Sequence, residues 1–168
     1  GVREVLYDGP HADLAAWAAR AAAIAVPDVK RLLREEAAWK DIPSSLWFDL
    51  GLAAYLLATE DRDYSWPRLS AQYAEKSGLD PERPGTLALG LHDELKGRLA
   101  QADLERLLLT IEQPPTAVLA EMEETGVRAD MDALDGFLRE VQRDLDRLTA
   151  DIYEAAGGPF NIRSAQQM

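Results

Sequence analysis

Few residues in this chain have the type and spacing needed for chemistry. His92-Asp93-Glu94 sets an imidazole beside two carboxylates, the triplet that most invites a catalytic reading. They fall, however, inside a leucine-spaced run containing Leu91, Leu95 and Leu99, which predicts a helix and opposes a catalytic reading. His11, the other histidine, sits in a turn by a helix start with no partner at ligand spacing, and no nucleophile–histidine arrangement exists. Asp28 directly precedes an apolar-periodic stretch and is read as a helix cap. Arg139, Arg143 and Arg147 form an i, i+4, i+8 row that could face nucleic acid. Asp135, Glu140, Asp144 and Asp146 surround them, so the row is expected to form salt bridges within its own helix. Gly157-Gly158 lacks the strand and helix context of a phosphate cradle. Cysteine is absent, so thiolate metal sites and disulfides are excluded.

The elements carrying these residues change character along the chain. Glu4–Tyr7 and Ala22–Val26 are strand candidates, and a brief strand is expected around Leu46-Trp47-Phe48. Helices are expected after Asp13, with Leu14, Trp17 and Ala18 inward, over Val29–Trp39, and over Asp49–Leu57. This β-α-β-α order predicts an α/β fold with mostly parallel strands. Farther on the pattern is helical only. Trp66 to Ser77-Gly78 forms one helix, and Thr86–Ile111 a long one interrupted at Pro114-Pro115. The helix resumes from Thr116 to Thr125 and stops at Gly126. A last long helix runs from a cap at Asp130 or Asp132 to about Ala156. Its apolar residues Leu134, Leu138, Val141, Leu145, Leu148 and Ile152 make a narrow seam at heptad spacing, suited to one antiparallel neighbour. Trp17, Trp39 and Trp66 occupy expected core positions.

Composition narrows the partners. The 168 residues carry a net charge of −12. Residues 1–100 hold 12 Lys/Arg against 16 Asp/Glu, and residues 101–168 hold 6 against 14. Binding to nucleic acid rests largely on neutralising phosphates, so this chain alone should bind DNA poorly. No apolar run reaches the roughly 20 residues of a membrane helix, and no signal-peptide pattern is seen. A cytoplasmic location is expected, in keeping with the absence of cysteine.

Two stretches carry a resemblance. The first opens Ile111-Glu112-Gln113-Pro114 and continues through Glu121-Met122-Glu123-Glu124-Thr125-Gly126-Val127-Arg128-Ala129-Asp130. It ends Ala156-Gly157-Gly158-Pro159-Phe160-Asn161-Ile162-Arg163-Ser164-Ala165-Gln166-Gln167-Met168. The second is Phe48-Asp49-Leu50-Gly51-Leu52-Ala53-Ala54-Tyr55-Leu56-Leu57, followed by Leu69-Ser70-Ala71-Gln72-Tyr73-Ala74. The first resembles the start of the polymerase domain of family A DNA polymerases, the bacterial DNA polymerase I group. The second resembles the later part of the 3′–5′ exonuclease domain that precedes it.

The resemblance implies a partial ribonuclease-H-like exonuclease fold over residues 1–108. Residues 109–168 would be the start of the polymerase domain, entering the thumb through its long helix. It also implies that the intact enzyme adds deoxynucleotides to primer-template DNA with Mg²⁺ in replication and repair, in association with fingers, palm and the rest of the thumb. This chain would hold none of the catalytic residues and no cofactor, and would serve as scaffold. Asp28 stands where the family's middle exonuclease metal ligand falls, yet the Tyr-x-x-x-Asp element expected before Glu112 is missing, so a degenerate exonuclease is implied. Asn161, Arg163 and Ser164 match the segment that contacts the duplex backbone; Asn161 and Ser164 could equally cap the next helix. Two alternatives stay open: a residual 3′–5′ exonuclease, and an independent helical protein-interaction module derived from the polymerase. The isolated chain is expected to pair its seam with another copy or with a second chain.

Overall fold

A strand only a few residues long lies at the centre of the architecture. In β2 (Trp47–Asp49), alternate side chains leave opposite faces, so adjacent Trp47 and Phe48 enter different cores. The computed structural model describes residues 5–162 and Ser164. β1 (Ile24–Val26) pairs with β2 in parallel, with Ile24 opposite Trp47, Ala25 opposite Phe48 and Val26 opposite Asp49. A two-stranded sheet is marginal by itself, and here helices cover both faces.

On one face lie α1 (His11–Ala18) and α2 (Val29–Glu35), with a 3₁₀ turn at Ala37–Trp39. Val29, Leu33, Trp39, Ile42 and Trp47 form their core, which Ala120 of α7 (Pro115–Thr125) completes. On the other face lie α3 (Leu50–Leu57), α4 (Trp66–Ser77) and α5 (Pro84–Gln101). Phe48, Leu50, Leu91, Leu95 and Leu99 form the second core. The chain is thus mostly helical with a small parallel sheet, an α/β arrangement followed by an all-helical segment.

Several expectations need correction. Residues 5–7 form no strand; Leu6 is 95% exposed, since no neighbouring strand lies there to pair with it. Trp17 is 70% exposed, because α1 turns its small residues Ala15 and Ala18 inward instead. α2 ends at Glu35, and Trp39 reaches the core from the 3₁₀ turn.

The long helix expected over Thr86–Ile111 breaks at Gln101. Ala102 caps it and Asp103 turns left-handed, with φ at 58°. The Leu104 N–H reaches back to Leu99 O at 2.9 Å and the Asp103 N–H to Ala100 O at 3.3 Å, closing a Schellman pattern over the buried Leu99. A short turn, α6 (Glu105–Leu107), leads into a π turn at Leu108–Glu112. There the Gln113 N–H bonds Leu108 O at 2.9 Å, and the wider turn re-aims the next side chain.

The chain divides into two compact units, Gly1–Gly126 and Val127–Met168, so α7 packs with the first. The second unit is built on α8 (Met131–Ala156). Asp130 caps it, accepting the Ala133 N–H at 2.9 Å, and Gly157 ends it at φ 77°, a conformation glycine adopts without steric cost. No helix among the described residues is long and apolar enough to cross a membrane.

A Cβ atom crowds the carbonyl oxygen in the left-handed region, at a cost of roughly 1–2 kcal/mol for ordinary residues, whereas Asp tolerates it and Gly adopts it freely. Asp103→Gly is therefore expected to hold or raise stability by about 0.5 kcal/mol, and Asp103→Val to lower it by about 1–2 kcal/mol. Urea unfolding of the two variants checks this; equal midpoints would contradict the assigned turn.

Candidate functional site

Both strands end at an open cleft of about 860 Å³, lined by Pro27, Asp28, Lys30, Arg31, Asp49, Gly51, Tyr55, Tyr64 and Trp66 among others. The carboxyl ends of parallel strands are where α/β proteins commonly place ligands. Asp28 stands at the rim as the cap of α2, its Oδ1 accepting the Arg31 N–H at 2.8 Å. Asp49 lies at the floor, 4% exposed. One of its oxygens accepts the Leu52 N–H at 2.9 Å, capping α3, and the other accepts the Val29 N–H at 2.8 Å, holding the start of α2. The Gly51 N–H donates to Pro27 O at 3.2 Å. A Cβ at Gly51 would stand 3.1 Å from that oxygen, so a side chain there would have to push the strand end back by a few tenths of an ångström.

Gln113 completes the floor from the π turn. Its Oε1 accepts the Asp49 N–H at 3.3 Å, and its Nε2 donates to Ser44 O at 3.1 Å and to Trp47 O. A buried amide thus satisfies backbone groups that the two-stranded sheet leaves unpaired. The cations at the rim are also engaged. Arg31 pairs with Glu35 at 2.7 Å, and Lys30 and Arg34 meet Glu123 of α7 at 2.7 and 2.8 Å. The hydrogen bond from Lys30 leads in holding the Glu123 carboxyl below its usual range.

Two-metal hydrolysis requires carboxylates free to hold paired cations. Asp28 and Asp49 both accept backbone N–H groups, and no group of three or more His, Cys, Asp or Glu able to hold a metal ion occurs among the described residues, so this donor set does not fit a pair of divalent ions. His92 is elsewhere, on α5. It packs edge-on against Phe48, its ring centre 4.6 Å away, and contacts Asp93 Oδ1 at 2.9 Å, while Glu94 pairs with Lys76 of α4. His11 accepts the Trp39 indole N–H at 3.2 Å and lies 3.7 Å from Glu36, a structural role.

The other sequence-identified residues lie beyond α8. The ring of Phe160 returns against Tyr153, centres 5.9 Å apart, and the Ser164 N–H donates to Asn161 O at 2.9 Å. Asn161 and Ser164 are thus brought together at the two ends of one turn; Arg163 lies outside the described residues. Of the arginine row, Arg147 pairs with Asp144 at 3.7 Å.

The fold's polar centre, Asp49 with Gln113, was not anticipated as a site. Asp49 had one usable signal, an acid between an apolar strand and an apolar helix, the place of a cap. Gln113 had none, since its partners lie more than sixty residues earlier.

Sequence comparison finds relatives among bacterial DNA polymerases I. It is 40% identical over 153 residues to DNA polymerase I of Bacillus caldotenax, which covers 77% of this chain and 17% of that protein. It is 38% identical over 102 residues to the thermostable DNA polymerase I of Thermus aquaticus, covering 60% of this chain and 12% of that protein. With DNA polymerase I of Geobacillus stearothermophilus the identity is 38% over 78 residues, covering 46% and 9%. The chain is therefore related to a segment of the bacterial DNA polymerase I group, family A, as its motifs indicated, and spans less than a fifth of the curated relatives it matches. No family model matches it, and no solved structure does.

Burial leads in pushing the Asp49 carboxyl up, from 3.8 to about 6, against the Leu52 and Val29 N–H groups that favour its charge. Between those values the folded chain binds a proton that the unfolded chain releases. This contribution is complete below 3.8 and is lost as pH rises through about 6. Ionised Asp49 then costs the fold about 3 kcal/mol, of which about 1.5 is regained by pH 5. Glu123, shifted the other way, acts only at lower pH. The urea midpoint should rise from pH 7.5 to pH 5, and Asp49→Asn should flatten that rise; an identical rise in both proteins would contradict the assignment.

Proposed function

We propose that this chain is a non-catalytic part of a DNA-directed DNA polymerase. Residues 1–108 are the later part of a degenerate, ribonuclease-H-like 3′–5′ exonuclease domain, and residues 109–168 begin the polymerase domain. The division is one of ancestry: α7 belongs by motif to the second segment and packs on α2 of the first. The observation that carries the reading is the use of Asp28 and Asp49. Both stand at the cleft where a nuclease would hold metal, and both serve as anchors for helix starts. In this reading α8 is the long helix at the base of the thumb, and the chain's role in the intact enzyme is architectural.

Exposed apolar side chains support a role within a larger body. Ile111, Val118 and Met122 stand out from the first unit, and the heptad seam stands out on α8. These are surfaces that the fingers, palm and remaining thumb would cover. Asn161, Arg163 and Ser164 would contact the sugar-phosphate backbone of primer-template DNA, positioning the duplex without reading its sequence. The intact enzyme would use Mg²⁺ at residues outside this segment.

The isolated chain is expected to give no extension of a primed template with Mg²⁺ and deoxynucleotides present; robust extension would sink the architectural reading. In the intact enzyme, combined Asn161→Ala and Ser164→Ala should weaken duplex binding about three- to tenfold, equally across template sequences. Titration by fluorescence anisotropy tests the contact, and unchanged affinity would remove these residues from the interface.

A further inference from the structure

His11 opens α1, and its ring is engaged on both sides. The Trp39 indole N–H donates to Nδ1 at 3.2 Å, and Nε2 lies 3.7 Å from Glu36 Oε1. An indole nitrogen can only donate, so Nδ1 must offer a lone pair. The ring in this arrangement is therefore neutral and carries its hydrogen on Nε2, toward Glu36. It stands edge-on to Trp39, ring centres 6.5 Å apart. Trp39 is itself buried in the first core and leans on Trp47, centres 5.9 Å apart. One hydrogen bond thus ties the start of α1 to a core side chain.

α1 depends on such ties. At eight residues it is too short to be a stable helix alone. Pro10 precedes it and no side chain caps it. It gives the core only the small Ala15 and Ala18, with Leu14 packed beside them, while Trp17 is turned to solvent.

A proton on Nδ1 and the bond from Trp39 exclude each other. A charged imidazole donates from both nitrogens, so two N–H groups would face each other across the 3.2 Å gap. The start of a helix is also its positive end and repels a cation placed there. A charged ring has one partner at hand, the half-exposed Glu36 carboxylate, which can accept from Nε2. The other charged groups on the elements around the ring are Asp13 on α1, Lys40 and Asp41 after the 3₁₀ turn, and Glu124 of α7, which pairs with Lys40.

We propose that His11 is a proton-operated latch on α1. The neutral ring accepts from Trp39 and keeps α1 closed on the first core. The protonated ring gives up that bond, turns to Glu36 and loosens α1. The device stands on these contacts alone, and primer extension tests the polymerase reading separately.

The test follows the full chain by NMR from about pH 8 to about pH 5, the range over which histidine ordinarily changes charge. Of the four tryptophan indole N–H resonances, that of Trp39 should shift furthest, with the same midpoint as the His11 ring protons. Exchange of α1 amides, such as the Ala19 N–H bonded to Ala15 O, should become about three- to tenfold faster at the acid end once corrected for the intrinsic rate. His11→Asn keeps an acceptor near the Nδ1 position and cannot gain a proton, so it should hold both the Trp39 resonance and α1 protection constant. Titration of Asp49 is common to the two proteins and cancels in that comparison. Glu36→Gln removes the charge that receives the protonated ring and should move the partner exchange to lower pH. A Trp39 resonance that stays still while His11 titrates would overturn the proposal. So would α1 exchange that fails to accelerate, or that accelerates equally in His11→Asn.

Discussion

The first unit depends on how one strand end is kept satisfied. β2 is too short to finish its own hydrogen bonding, and it runs directly into helix α3 with no further sheet. The Asp49 carboxylate binds the first turns of both α2 and α3, and the Gln113 amide accepts from the Asp49 backbone while donating to Ser44 and Trp47. A buried polar group left without a partner costs about 1–3 kcal/mol, so the two side chains act as one unit that works fully or fails together. The same arrangement uses the two aspartates of the cleft, Asp28 and Asp49, as anchors for the starts of α2 and α3.

Packing extends from that joint. Trp47 and Phe48 divide the apolar residues into two cores, so the sheet is a partition with helices on each side. Lys30, Arg34 and Lys40 on one side and Glu123 and Glu124 on the other tie the first core's outer helices together. These pairs are half-exposed and each contributes little. Ala120, buried against Val29 and Leu33, allows close helix approach, and that contact sets where α7 lies more than the charges do.

Local signals were legible in the sequence and distant ones were not. Asp28, Asp130 and Gly157 act as caps and stops because their chemistry is decided by the next few residues, and the structure has them there. The leucines of α5 were likewise placed correctly by periodicity, whereas Trp39 is buried as expected but from the 3₁₀ turn. Trp17 was not, since burial on α1 is decided by Ala15 and Ala18 fitting closer to the core. The break at Asp103 lacked the glycine that usually marks a left-handed residue. Gln113 could not be found at all, because its role exists only once β2 and the π turn meet. Of the candidate site, motif order pointed to Asn161 and Ser164 and to the polymerase relationship, whereas the carboxylate at the cleft floor required coordinates.

Gln113 and α7 also bear on the order in which a nascent chain can mature. The sheet is complete in sequence once Asp49 has been made, yet the carbonyls of Ser44 and Trp47 wait for an amide that emerges much later. Loop closure over such separations is slow, and apolar surface stays uncovered meanwhile. During synthesis the first unit therefore passes through a stage with both strands present and one core open along α2. Only when the segment through Thr125 has left the ribosome can that core be sealed, which makes the π turn a checkpoint in vectorial folding as well as a bend in the finished molecule.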